Sequence, residues 1–194
     1  MNRRVFLAGS TVAFFLEADA IASASSQPNS EIDFWRSFIE TLDSIRNAVD
    51  VWSDEITKVK ISRFLNYVQS PVSDLLAEKK RIAAALDSST CNGDRIAIVA
   101  DKASQRIPNL VQRLEASMRT LAGAVKPEKI RADSFVLVDL ISDLSYAKVW
   151  VADLYNYCRL TPVQKAALRE EINVSIALAT EARSQLIGLL DAID

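Results

Sequence analysis

The feature that most constrains the fold of this chain is a long apolar stretch between Pro127 and Cys158. One set of hydrophobic residues recurs along it at alternating steps of three and four, the spacing of one helix face. Other apolar residues, such as Phe135 and Trp150, lie off that face, so much of the circumference is hydrophobic. Such a helix must be covered from several sides, and we expect it to be the central helix of a bundle. The residues of the recurring set are Leu137, Leu140, Leu144, Ala147, Val151, Leu154 and Cys158.

The same spacing predicts the first helix of the mature chain. Ser30 suits its N-cap, and a hydrophobic face runs from Trp35 to Val59 in steps of three and four. This unbroken face favours one continuous helix. Ser53 and Asp54 would also suit the start of a second helix, which is the alternative.

Prolines predict where the following helices are interrupted. Ser70 and Pro71 have the form of an N-cap and a first helical position, so we expect a break and a new helix there. Pro108 falls within the hydrophobic face of a helix that begins near Asp94. Because a proline removes one backbone hydrogen bond and clashes with the preceding turn, we expect a kink or a restart there.

The last helix has the clearest local start signal in the chain. Thr161 suits an N-cap, Pro162 the first helical position, and Gln164 completes a capping box. The helix that follows extends to about Ala192. Together these segments predict an all-α fold, an antiparallel bundle of four to five long helices that forms one domain over residues 31–194.

Composition excludes several classes of function. The chain has no histidine, which removes Ser/His and Cys/His nucleophile pairs and the commonest transition-metal ligand. The net charge of −2 argues against a nucleic-acid binder, because such proteins need a basic surface. Hydrophobic residues make up 49% of the chain, which fits a folded domain with a real core.

The N-terminus has the composition of an export signal. Arg3 and Arg4 precede a short apolar segment, Val5 to Leu16, and small residues follow it. Cleavage is expected at Ala22-Ser23-Ala24, with Ala20-Ile21-Ala22 as the alternative. Residues 1–24 are then a cleavable signal and residues 25–30 a flexible leader, so we expect a periplasmic or secreted protein with no membrane span in the mature chain.

The start of this signal is similar to a known class of bacterial signals. Arg3-Arg4-Val5-Phe6-Leu7 resembles the core of twin-arginine export signals. The resemblance implies export of a folded protein and covers the signal alone. An ordinary secretory signal that happens to carry two arginines is the alternative.

The two cysteines give the most specific prediction. The helices that contain Pro108 and Leu137 are joined by a short link near residue 125, so they should be antiparallel neighbours. Cys91 and Cys158 lie almost equally far from that link and therefore at the same end of the hairpin. In an oxidising compartment, this placement predicts a disulfide. The alternative is two separate thiols, with Cys158 buried as a small hydrophobic residue.

Two further groups of residues allow a structural and a functional interpretation. Tyr146, Val149 and Trp150 lie off the main hydrophobic face of their helix, so they either pack inside the bundle or form a patch that binds a partner. Lys79-Lys80-Arg81 is a short basic run that we place on the solvated side of its helix. An anionic partner is the alternative for that run.

No catalytic, metal or cofactor motif is present, and we predict a protein without enzymatic activity. The first functional hypothesis is an exported interaction, accessory or inhibitor-like module that binds another protein through a helical face. The second is a carrier or sensor of a small apolar ligand held between helices. An enzyme that works with carboxylates alone is the third, and its acids would have to converge in a cleft.

Overall fold

The computed structural model describes residues 30–49, 55–87, 91–124, 128–146 and 149–193, with side chains except at a few residues beside the gaps and at 142–146 and 149–152. These residues form helices and no β-strand, so the predicted all-α bundle is confirmed. A 3₁₀ turn, Tyr157–Arg159, follows the fifth helix. The helices are α1 (Ser30–Val49), α2 (Glu55–Leu86), α3 (Gly93–Ala124), α4 (Glu128–Tyr146), α5 (Val149–Asn156) and α6 (Pro162–Ile193).

The helices pack in the cyclic order α1, α4, α3, α2, α6, with α6 returning to α1, and α5 also lies against α3. Directions alternate along the chain: α1, α3 and α6 run one way, while α2 and α4 with α5 run the other. An odd number of long helices in a closed order leaves one parallel pair of neighbours, which is α1 and α6. The directions of α3 and α6, both opposite to that of α2, follow from the contacts of Arg106 with Glu78, Arg113 with Ser70, Arg169 with Leu86 and Arg183 with Ser73.

The first two helices are separate helices that run in opposite directions, rather than one continuous helix. Nζ of Lys79 in α2 lies 2.5 Å from Oε2 of Glu31 at the start of α1. A continuous helix would place these residues about 70 Å apart at 1.5 Å per residue. The prediction of continuity through Ser53 and Asp54 is therefore wrong, although those two residues lie outside the described ranges. Val59, which the predicted hydrophobic face included, is 54% exposed.

Two prolines lie inside helices that continue past them. Pro71 is within α2 and Pro108 within α3, so the predicted break at Ser70-Pro71 and the restart offered as one outcome at Pro108 are wrong. A proline inside a helix costs about 3 kcal/mol relative to alanine. Packing on both sides of Pro71 outweighs that cost, because Val68, Val72 and Leu75 are all buried in the common core.

The helix expected at the centre of the bundle is one of the five helices that pack side by side in the closed order, and none of these helices is surrounded by the others. Its sequence is described as α4 and α5, with residues 147 and 148 outside the described part. α4 packs mainly against α1 and α3, and Phe135 and Val136 are each 51% exposed. The central position is therefore wrong, because α4 has neighbours on two sides and an open third side.

The core is one hydrophobic cluster shared by all the long helices. The first turns of α1 contribute its largest side chains, and Phe34, Trp35 and Phe38 are fully buried. The rings of Phe34 and Trp35 meet edge to face, with 5.0 Å between their centroids. Trp35, which begins the hydrophobic face predicted for this helix, therefore lies in the core, and its ring packs against those of Phe34 and Phe38 within α1.

Candidate functional site: the disulfide end and the outer face of α4

The structure pairs the two cysteines at one end of the bundle. Sγ of Cys91 and Sγ of Cys158 are 2.09 Å apart, and their Cα atoms are 5.7 Å apart, within the range of disulfides. Cys91 lies two residues before α3, and Cys158 lies in the 3₁₀ turn after α5. Both cysteines are exposed, so the alternative of a buried Cys158 thiol is not what the structure has.

Non-covalent contacts hold the segments around this disulfide. Tyr157, beside Cys158, is buried, and its hydroxyl donates to the carbonyl oxygen of Leu86 at the end of α2. A guanidinium N–H of Arg169 in α6 donates to the same oxygen. Lys165 and Arg169 lie over the Tyr157 ring, 5.5 and 5.8 Å from its centroid. We call Cys91, Cys158, Leu86, Tyr157, Lys165 and Arg169 the disulfide end.

Arg169 also borders a small pocket between α2 and α6. The pocket has room for about one water molecule and is bordered by Leu86, Asp87 and Ile172 among others. Nε of Arg169 is buried and has no hydrogen-bond partner among the residues that the structure describes. This pocket is too small for an apolar ligand, and the carrier hypothesis stays a prediction without support from it.

A second polar cluster lies inside the bundle and joins three helices. Glu31 in α1 accepts hydrogen bonds from Lys79 of α2, from Ser175 of α6 at 2.6 Å and from Trp35 at 3.3 Å. Lys79 is 4% exposed. Burial acts to raise the pKa of Glu31, but the Lys79 charge and these hydrogen bonds outweigh it, so the pKa is lowered. We call Glu31, Lys79, Ser175 and Trp35 the inner polar cluster.

The inner polar cluster corrects the interpretation of the basic run. Lys79 was expected on the solvated side of its helix, and it is buried. Lys80 and Arg81 are exposed, as expected. A sequence signal for the difference exists: position 79 follows Leu75 by four and precedes Ile82 by three, the spacing of the buried face of α2.

The exposed surface of α4 is apolar near its middle. Phe135 and Val136 are half exposed, and the Arg131 guanidinium lies 6.0 Å from the centre of the Phe135 ring. Arg131, Phe135 and Asp139 follow one another at steps of four and are all exposed, so they share one side of the helix. We call Arg131, Phe135, Val136 and Asp139 the outer face of α4.

The residues predicted as a partner-binding patch continue along the same segment. Tyr146 ends α4, eleven residues or three turns after Phe135, which puts its backbone position on the same side of the helix. Val149 and Trp150 begin α5. The side chains of Tyr146, Val149 and Trp150 lie outside the described part of the structure, so their exposure stays a prediction. The exposure of Phe135 and Val136 was not predicted from the sequence, because a helix that is apolar on several sides was expected to be covered on all of them.

Little in the described residues points to catalysis. They contain no group of three or more acids or cysteines placed to hold a metal ion. Burial raises the pKa of Asp153, and a hydrogen bond to Asp101 raises the pKa of the exposed Tyr155. Among the helices of the described ranges, none has the length and hydrophobicity needed to cross a membrane.

Comparison with known proteins adds no relative. No protein-family model, no curated protein and no solved structure matches the chain.

Proposed function

We propose that this chain is an exported, non-enzymatic interaction module that binds another protein through the outer face of α4. The observation that supports the proposal is the pair Phe135 and Val136, two large hydrophobic side chains half exposed next to each other on one helix. Large apolar side chains grouped on a surface are typical of protein contacts. Arg131 and Asp139 at either end of the pair give the polar rim that such contacts have.

The rest of the chain supports a passive role. The buried polar groups of the inner polar cluster are paired with one another across three helices, which leaves them engaged in holding the bundle together. The disulfide and the twin-arginine-like start of the sequence support a location outside the cytoplasm. The predicted patch of Tyr146, Val149 and Trp150 would extend the outer face of α4 towards the disulfide end.

Site-specific cross-linking in the export compartment tests this proposal. A photo-reactive amino acid placed at Val136 should give a discrete cross-linked product of fixed size, because the side chain is half exposed within the proposed contact. The same amino acid at Ala177, an exposed position on α6, is the matched control and should give none. Phe135→Glu, introduced beside the reporter at Val136, should abolish the product while leaving the helical circular dichroism unchanged.

Equal cross-linking from positions 136 and 177 would contradict the proposal, because it would show non-specific collision. Absence of a product at both positions, in cells that export the chain, would contradict it as well. Mass spectrometry of the product identifies the partner. A product with twice the mass of the chain would identify a second copy as that partner.

A further inference from the structure

The exposed charges of α4 are arranged differently from those of its two neighbours. On α3, Nη2 of Arg119 lies 2.8 Å from Oε1 of Glu115, four residues away, and on α1 exposed arginines lie near aspartates three residues away. The outer face of α4 instead has Arg131 and Asp139, with Phe135 midway between them. These two positions are about 12 Å apart along the helix, too far for the short-range pairing seen on α1 and α3.

Both charges of this face are available to a second molecule. Within the described part of the chain, neither Arg131 nor Asp139 is in an ion pair. The Arg131 guanidinium lies 6.0 Å from the centre of the Phe135 ring, and Asp139 is exposed. The outer face of α4 therefore has a cation at one end, an anion at the other and the half-exposed pair Phe135 and Val136 between them.

This spacing makes the outer face of α4 complementary to a second copy of itself. In an antiparallel pairing with the two-fold axis at Phe135, position 131 of each copy faces position 139 of the other, because both lie four residues from the axis. Arg131 then pairs with Asp139 of the other copy, and this happens twice. The two Phe135 rings meet at the axis with Val136 beside them, so the apolar side chains lie between the two ion pairs. A parallel pairing in register would instead oppose like charges.

We propose that the protein bound by the outer face of α4 is a second copy of this chain, in an antiparallel two-fold pairing centred on Phe135. This inference rests on the proposed function and names its partner. A contact made by one helix of each copy is smaller than the about 800 Å² per partner of a standard stable interface. The dimer is therefore weak, and we expect it to dissociate on dilution through the micromolar range.

The association of the chain in solution is the first test. Sedimentation equilibrium of the chain purified from the compartment to which it is exported gives the molar mass as a function of concentration. We expect the mass to rise from that of one chain towards that of two as the concentration increases, without larger species. Two copies close the interface, because each face is used up by the other. A chain that stays monomeric up to millimolar concentrations would overturn the inference.

Reversal of one charge tests the antiparallel register. Arg131→Glu places a carboxylate opposite Asp139 of the other copy at both ends of the contact, and Asp139→Arg places two cations there. We expect either change to raise the dissociation constant of the dimer about tenfold or more, because two attractive pairs become repulsive. Lys80→Glu is the matched control, an equal charge reversal at an exposed position of α2, and should leave the dissociation constant unchanged. The helical circular dichroism of every variant should match that of the unchanged chain.

Restoring the opposite charges completes the test. The double variant Arg131→Glu with Asp139→Arg again opposes unlike charges at both ends, so its dissociation constant should return close to that of the unchanged chain. A mixture of the two single variants should associate more tightly than either variant alone, because both ends of the mixed pair have unlike charges. A double variant as weak as the single ones would show that positions 131 and 139 do not face each other, and would overturn the antiparallel pairing.

The remaining outcomes separate this inference from the proposed function. A dimer that the substitutions at Arg131, Phe135 and Asp139 leave unchanged would be formed by another surface, which overturns the inference. A monomeric chain that is cross-linked from position 136 to a different protein would also overturn it, while the proposed function would stand. Absence of both dimer and cross-link would contradict the two together.

Discussion

Two places in this molecule hold the start of a helix to the rest of the bundle, and they do so by different means. The start of α1 is held by the inner polar cluster, through the buried ion pair between Glu31 and Lys79. The start of α3 is held by the exposed disulfide between Cys91 and Cys158. The ion pair acts within the folded state, where each charge needs the other. The disulfide acts largely on the unfolded state, because it lowers the conformational entropy of the unfolded chain. The two should therefore respond to different perturbations.

The largest effect is expected from removing one charge of the inner polar cluster. Lys79→Met keeps most of the side-chain volume and leaves the Glu31 carboxylate buried without its cation. We expect a loss of about 4 kcal/mol in the free energy of unfolding at neutral pH. Urea denaturation of the oxidised chain measures it.

Lys80→Met is the matched control for that change. Lys80 is the next residue on the same helix and is exposed, so its replacement should change the free energy of unfolding by about 0.5 kcal/mol at most. If Lys79→Met and Lys80→Met were equally stable, the ion pair would not hold α1, and the contrast with the disulfide would fail.

The second effect concerns the disulfide. Its loop spans 67 residues, and the chain-entropy model gives about 4 kcal/mol as an upper value for its contribution. We expect Cys91→Ser with Cys158→Ser to lower the free energy of unfolding by about 2–4 kcal/mol, measured by urea denaturation beside the oxidised chain. Reduction of the unchanged chain should give the same loss. A loss confined to the serine variant would show that the substitutions, rather than the missing bond, destabilise it.

The disulfide could be predicted from the sequence more fully than the inner polar cluster. The two cysteines could be paired from the sequence because the short link after α3 makes α3 and α4 antiparallel. Residues that lie equally far along the chain from such a link must lie at the same end of the pair of helices. The inner polar cluster could be found only in part. Glu31 precedes Trp35 by four residues, and Lys79 and Ser175 also stand at positions that continue a buried face. Periodicity thus marks each polar residue as buried, but it does not show that the three meet, since that depends on the order of helices around the bundle.

The prolines show a second limit of sequence analysis. Pro71 and Pro108 are strong local signals for a helix break, and both lie within continuous helices. Burial of the residues before and after each proline outweighs the local cost of about 3 kcal/mol for a proline inside a helix. That burial depends on the neighbouring helices, so a local sequence pattern does not reveal it. The exposed pair Phe135 and Val136 was missed for a related reason. A helix that is apolar on several sides does not reveal which side has a neighbour.

The third effect is a difference in pH dependence between the contribution of the inner polar cluster to stability and that of the disulfide. The pKa of Glu31 is lower in the folded chain than its ordinary value of 4.5, so the unfolded chain takes up a proton first as the pH falls. The contribution of Glu31 is therefore complete above pH 4.5 and is lost as the pH falls below it through the folded-state pKa. We expect the free energy of unfolding of the oxidised chain to decrease in that window more than that of Glu31→Gln.

The serine variant without the disulfide is the control for this pH effect. It keeps Glu31 and Lys79, so its free energy of unfolding should decrease with pH in parallel with that of the oxidised chain. Urea denaturation at a series of pH values from neutral to acidic measures both. Parallel curves for the oxidised chain and Glu31→Gln would show that Glu31 titrates alike in the folded and unfolded states, contrary to the lowered pKa.

The smallest effect tests a helix start that lies near the disulfide end and needs neither a buried charge nor a covalent bond. The hydroxyl oxygen of Thr161 accepts from the backbone N–H of Gln164 at 3.3 Å, and Oε1 of Gln164 accepts from the backbone N–H of Thr161 at 3.0 Å. This is the capping box predicted from the sequence. We expect Thr161→Ala to lower the free energy of unfolding by about 1 kcal/mol, because it leaves an N–H at the start of α6 without its side-chain partner.

Val163→Ala, at a position that is 78% exposed in the same turn, is the control and should have almost no effect. A loss for Thr161→Ala as large as that for Lys79→Met would mean that exposed caps fix helix starts as strongly as the inner polar cluster does.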